Sequence, residues 1–266
     1  MNILDRAIAA ISPERALRRA QARMALQVMA GSVRRAGAGR SGTLGNWQVQ
    51  RLTRHTEATE RQTLVDRAAD LAANNPHAAS IIDSSSLSTV GSSGLQPQSK
   101  PPANLLGITE EQAAAVADQA EWVFWEWSKE ADADGLDHFA DLQYQSIRNV
   151  LVAGEYLNLP VWIDRPGRSL ALAIQVLDPR RLRTPYDLSR DTAIRDGVRL
   201  APSRERLGYY IADPDDGPIT SLLSENQFRY IPARRGHRPG IFHGFHRREP
   251  EQVRGISVLA PVIKLF

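Results

Sequence analysis

Two period-two runs around a Pro-Gly turn constrain this chain more than anything else in it. Leu157, Leu159, Val161 and Ile163 alternate with Tyr156, Asn158, Pro160 and Trp162. Arg165-Pro166-Gly167-Arg168 follows as a turn, and Leu170, Leu172, Ile174 and Val176 then alternate again. This pattern predicts a β-hairpin, and its apolar face needs a cover. The nearest candidate is the helix expected just before it. Asp137 is its expected N-cap, and Phe139, Leu142, Ile147, Val150 and Leu151 recur close to one helical face. Gly154 ends that helix, because glycine turns left-handed without a Cβ penalty. Pro160 has no N–H to give to a ladder, so its strand is expected to be an edge or a bulge at that point.

The rest of the chain extends this into an α+β reading, with N-terminal helices followed by an antiparallel sheet over 156–246. Glu60 to Ala73 carries Leu64, Ala68 and Leu71 on one helical face. Asn74-Asn75-Pro76 breaks it, and Asn75 is placed to cap a second helix through Ile81, Ile82 and Leu87, with Pro76 in its first turn. Thr109-Glu110-Glu111-Gln112 is a capping box, followed by Val116, Ala120, Val123, Phe124 and Trp127 at steps of three and four. Trp122 and Trp125 lie off that stripe, either packed under a neighbouring element or set at an interface, where Trp is enriched. Further strands are expected at 207–212, 227–231 and 241–246, with Asp213-Pro214-Asp215-Asp216-Gly217 as a turn. At the far end, Ser257 is placed to cap a helix that tolerates Pro261 near its first turn. Val258, Leu259, Val262, Ile263 and Phe266 form its unfinished apolar stripe, so this end reads as the start of a helix that continues.

With 266 residues, of which 42% are apolar, the chain suits one large domain or two small ones. It has no cysteine, which excludes disulfides and thiolate metal sites. No apolar run approaches a membrane span, and the N-terminus lacks the apolar core of a signal peptide. The only lysines are Lys100, Lys129 and Lys264, so nearly all positive charge is arginine. Codon bias accounts for that as well as selection for forked contacts to phosphate or carboxylate does. Residues 1–54 hold ten arginines against Asp5 and Glu14. They read as a flexible arm over 1–55: a solvated terminus, or alternatively a basic segment for a nucleic-acid-binding module.

The chain offers little that resembles an active site. His243 and His246 are the only close histidine pair, and on a strand they face opposite ways. Gly91-Ser92-Ser93-Gly94 lacks the Lys-Ser/Thr of a phosphate loop. Asp132, Asp134 and Asp137 alternate like part of a calcium loop, but its glycine and closing glutamate do not fit. Asp215-Asp216 is a pair of turn acids. Glu155, between a helix end and a strand, is expected to be buried in a structural ion pair. No catalytic, cofactor-binding or metal residue is assigned, no cofactor is expected, and the chain is read as non-enzymatic.

Several segments, taken in order, resemble the lambda-type portal proteins of tailed bacteriophages. They are Leu64-Val65-Asp66-Arg67 with Asn74-Asn75-Pro76, Val90-Gly91 with Gly94-Leu95, the aromatic helix Trp122 to Trp127, Gly154-Glu155, and Leu177-Asp178-Pro179 with Arg181-Leu182. Leu207-Gly208-Tyr209-Tyr210-Ile211 and Arg254-Gly255-Ile256-Ser257-Val258-Leu259 complete the set, over roughly residues 60–266. The resemblance implies a structural subunit of a dodecameric portal ring at one capsid vertex, the channel for DNA packaging and ejection. Its implied partners are further copies of itself, the terminase large subunit, capsid and head-completion proteins, and double-stranded DNA passing through without sequence specificity, with no membrane. Its implied setting is the virion, and the host cytoplasm during assembly. Family members are longer, so residues 56–252 are expected to be a wing-like α+β domain and 253–266 the start of a stem helix, with the clip, tunnel loop and crown absent.

Overall fold

The computed structural model describes residues 54–213 and 223–263, with Glu14, Arg18, Gln21 and Ala22 as isolated helical positions. The chain divides into two units, residues 1–52 and 53–266. The expected arm and the Asp215-Asp216 turn therefore lie almost wholly outside the described residues. Every described helix and strand from Arg54 onward belongs to the second unit.

Local capping sets the helices. α1 spans Arg54–Asn74. Asn75 then caps α2 (Pro76–Val90), its side-chain oxygen accepting from the N–H groups of His77 and Ala78. After the short α3 (Ala103–Leu106) comes α4 (Glu110–Ser128), opened by the expected Thr109–Gln112 capping box. α5 covers Phe139–Ala153 and ends on Gly154, at φ 88°. Its cap is His138 rather than Asp137: the ring Nδ1 accepts from Ala140 N–H while Asp141 accepts from His138 N–H. Asp137 instead accepts from Gln145, and its N–H goes to Asp132. The face of α1 that is buried is Val65, Ala68 and Ala72, one residue round from the expected Leu64–Ala68–Leu71.

Among the described residues the strands pair antiparallel throughout, in three sheets rather than one. β1 (Glu155–Trp162) lies between β2 (Leu172–Leu177) and the late strand β9 (Phe242–Phe245). A second sheet runs β3 (Ile194–Arg195), β4 (Val198–Leu200), β5 (Arg206–Ala212), β6 (Phe228–Pro232). β7 (Arg234–Arg235) and β8 (Arg238–Pro239) form a small hairpin. Pro160 sits where β1 is a local edge, since β9 pairs only with Glu155 to Asn158.

Register decides how the layers stack. Leu157 lies opposite Leu177, Leu159 opposite Gln175, and Val161 opposite Ala173, so these share one face. Asn158, Pro160 and Trp162 lie opposite Val176, Ile174 and Leu172 on the other. The two apolar runs that the sequence presents as one hairpin face thus point to opposite sides, and both sides are covered. Leu157, Leu159 and Leu177 pack with Leu182, Val198, Tyr209, Ile211 and Ile231 of and around the second sheet. Ile174, Leu172 and Val176 pack under Trp127 and Leu142 of α4 and α5. The result is helices, sheet and sheet in three layers.

A third core joins α1, α2 and α5: Ala68, Ala72, Ile82 and Val152, closed by Leu259. The segment expected as the start of a stem helix, 253–266, supplies that closing residue. Its described part, Val258 to Ile263, forms successive turns, with Ala260 N–H bonded to Ser257 O and Val262 N–H to Leu259 O. The Ser257 hydroxyl does cap, accepting from Leu259 N–H, but it also donates to Leu151 O at the end of α5. Leu259 is 4% exposed. Of the apolar stripe, Leu259, Val262 and Ile263 pack on the domain's own core, Val258 is exposed, and Phe266 lies outside the described residues.

Candidate functional site

The centre of this unit is a buried charge cluster built from residues far apart in the chain. Gly154 ends α5 and Glu155 opens β1, while Arg254-Gly255 returns from the far end to lie against them. Gly255 N–H donates to Glu155 Oε2 at 2.9 Å. Arg254 Nε donates to both carboxylate oxygens, at 2.8 and 2.9 Å, and Nη2 also pairs with Oε1. The approach requires glycine on both sides. A Cβ on Gly255 would lie 2.0 Å from Gly154 O, and one on Gly154 would lie 2.3 Å from the Ile256 backbone.

The same guanidinium holds two further segments, the turn 179–182 and the turn at Asp196. Arg254 Nη1 donates to Leu182 O at 2.7 Å and Asp196 O at 2.8 Å, and Nη2 to Pro179 O at 3.0 Å. Asp196 and Gly197, both at positive φ, form the tight turn between β3 and β4. Arg61 reaches this turn from α1. Its Nη2 donates to Asp196 Oδ1 at 3.0 Å, its Nε pairs with Oδ2, and its Nη1 lies 3.9 Å from Glu155 Oε1. His243 of β9 completes the cluster, with Nε2 2.9 Å from Glu155 Oε2 and Nδ1 2.6 Å from Arg206 Nη1. Arginine can only donate, so Nδ1 is the acceptor and the proton sits on Nε2, pointing at Glu155. His243 is therefore neutral. A second Arg206 nitrogen donates to Val253 O.

Electrostatics follow from this geometry. Burial pushes the Glu155 carboxyl up, but the Arg254 charge and the bonds from His243 and Arg254 outweigh it and hold it well below the usual carboxylate range. Burial lowers His243, and the neighbouring Glu155 only partly opposes this. Burial also works against the Arg61 charge, and Asp196 more than compensates, raising it. Glu155 and His243 side chains are wholly inaccessible, and Arg254 is 3% exposed. Both Glu155 oxygens are saturated by protein donors and the group stays ionised. The arrangement suits a clamp between distant chain segments and offers no proton to a substrate.

The expected burial and pairing of Glu155 is thus observed. His243 and His246 are not brought together: His243 is inside the cluster and His246 is exposed. Among the described residues no group of three or more His, Cys, Asp or Glu is placed to hold a metal. Asp132 organises its own loop, accepting from the N–H groups of Asp134, Leu136 and Asp137. Gly94 of the Gly-Ser-Ser-Gly stretch packs on α5, where Leu95 exchanges hydrogen bonds with Gln143. Arg61, Asp196 and Arg206 were not legible as site residues. The only local signal was an arginine at Arg61 in step with the buried Val65 and Ala68, whereas Arg67 of the Leu64–Arg67 motif is exposed.

The paired Gly-Glu and Arg-Gly motifs lie within a longer match. The family model described as phage portal protein, lambda family, matches residues 40–266. The chain belongs to the lambda family of phage portal proteins. The portal protein of Escherichia phage N15 is 27% identical over 203 residues, and portal protein B of Escherichia phage lambda is 26% identical over 203 residues. Each match covers 74% of this chain and 37% of the relative, so the chain spans well under half the length of these two portal proteins. In this portal-family chain, three of the motifs on which the resemblance rests, Gly154-Glu155, the 177–182 segment and Arg254-Gly255, meet in one buried clamp.

Proposed function

We propose that this chain is a structural, non-catalytic subunit of a portal ring at a capsid vertex, the channel through which double-stranded DNA is packaged and ejected. The family match over residues 40–266 carries the reading. It is supported by the charge cluster, whose groups are turned on one another and serve to lock helices to sheets. On this reading residues 56–252 are the wing-like portion of the subunit, residues 253–266 lead toward its stem, and residues 1–55 are a basic arm. The partners are further copies of the subunit, the terminase large subunit, head-completion and capsid proteins, and DNA held without sequence preference. The chain would assemble in the host cytoplasm and end in the virion.

A segment exchange tests this. Residues 40–266 replace the matching segment of the phage lambda portal protein B, and the chimera is purified and examined by native mass spectrometry and negative-stain microscopy. Closed rings with a central channel are the expected result. A chimera that folds, by circular dichroism, yet stays monomeric would overturn the reading.

A further inference from the structure

We propose that the outward face of α4 in one copy docks into an apolar groove on the next, head to tail. The inference rests on the ring reading and assigns it a contact. The groove lies where α4 and the start of α5 leave part of the first sheet uncovered. It has a volume of about 620 Å³ and is lined by Phe124, Phe139, Tyr156, Trp162, Leu172 and Phe242 among others. Trp162 is 61% exposed and Phe242 42% exposed, so large apolar side chains stand open to water there. One rim is basic. Arg238 lies over the Trp162 ring at 5.5 Å, and the 234–239 hairpin carries Arg234, Arg235, His237 and Arg238 with no acid.

The complementary surface is on α4. That helix carries Glu110, Glu111, Asp118, Glu121 and Glu126, and its C-cap Lys129 pairs with Glu126 and lies over the Trp125 ring, leaving Glu111 and Asp118 as the acids of the outward face. Trp122 and Trp125 are 60% and 49% exposed. At helical spacing Glu111, Asp118, Trp122 and Trp125 fall on one stripe. Phe124 and Trp127 point the other way, into the groove and the core beneath it. An acidic aromatic face and a basic apolar groove thus occupy opposite sides of one helix, and cannot meet within one copy. Joined between copies they make a heterologous contact, which repeats into rings or filaments. Exposed tryptophans entering an apolar pocket, with acids reaching its arginine rim, combine a hot-spot anchor with charge complementarity.

The chain has no cysteine, so single cysteines report the contact directly. Full-length Ala115→Cys and Pro239→Cys proteins are mixed under mild oxidation; exposed Ala115 lies between Glu111 and Asp118 on the outward stripe, so both tryptophans stay in place. A disulfide-linked heterodimer is expected, and the Ala115→Cys/Pro239→Cys double variant should give a ladder of covalent multimers. Introducing Arg235→Glu and Arg238→Glu into the Pro239→Cys protein should cut the heterodimer yield at least about tenfold, and Glu111→Lys/Asp118→Lys in the partner should restore it. Circular dichroism checks that each variant is folded. Heterodimer formation that ignores the charge reversal overturns the proposal, as does Pro239→Cys linking by mass spectrometry to another segment. Self-association of the wild-type chain in sedimentation velocity without the Ala115–Pro239 product overturns this contact but leaves the ring reading standing. Failure of the segment-exchange chimera to form rings overturns the ring reading itself.

Discussion

Arg254→Met isolates what the clamp contributes. The substitution keeps an apolar stem of similar length and removes the guanidinium. Glu155 then keeps Gly255 N–H, His243 and the more distant Arg61, but loses its strongest partner while remaining fully buried. Breaking one side of a buried pair costs about 3–5 kcal/mol, because an uncompensated charge remains. Three carbonyls, of Leu182, Asp196 and Pro179, lose a donor in the same step, which places the value toward the upper end. For a unit of this size that corresponds to a fall in Tm of roughly 10–15 °C. The assay is urea denaturation at several pH values. In the wild type Glu155 is depressed on folding, so its contribution is full above about pH 4.3 and is lost as pH falls through its folded pKa. In Arg254→Met burial dominates and the folded pKa rises, so the variant's deficit is largest at neutral pH and shrinks on acidification. The double variant Glu155→Leu/Arg254→Met removes both charges and should recover at least half the loss. A deficit under about 1 kcal/mol at pH 7, or one that grows on acidification, would refute the reasoning.

Gly255→Ala places a Cβ 2.0 Å from Gly154 O and should cost at least about 3 kcal/mol. Gly107→Ala, left-handed but in open space, should cost about 1 kcal/mol in the same denaturation series. Leu259→Ala should destabilise by about 2–4 kcal/mol, since Leu259 packs on Ala68, Ala72, Ile82 and Val152. Deleting 256–266 should accordingly lower Tm by several degrees in a thermal scan, and an unchanged Tm would return this segment to the role of a stem start. His243 is lowered on folding, so the wild type should lose stability as pH falls below about 6.5, where the unfolded chain takes up a proton first. His243→Gln should flatten that part of the stability curve.

Where an element's identity rests on bonds a few residues long, the sequence alone determined it. Asn75-Pro76, Thr109 with Gln112, and Gly154 mark helix limits because each cap is satisfied within its own turn. Period-two runs marked β1 and β2 for the same local reason, and the order of short motifs sufficed for the portal-family resemblance. Even there a neighbour changed the detail: Asp137 was drawn off to Gln145, which left His138 as the cap of α5. What only the tertiary structure decided is register and long-range pairing. A period of two says that one face is apolar but not which face of the sheet it is, and the β1–β2 register sends Leu159 and Ile174 to opposite layers. The clamp joins Arg61, Glu155, Asp196, Arg206, His243 and Arg254, and no local pattern links positions so far apart. An ion in a protein interior is tolerable only once the fold has delivered its partners. The apolar residues after Ser257 were equally ambiguous: the same spacing suits a helix that continues or a plug, and only the tertiary structure sets Leu259 against α1, α2 and α5.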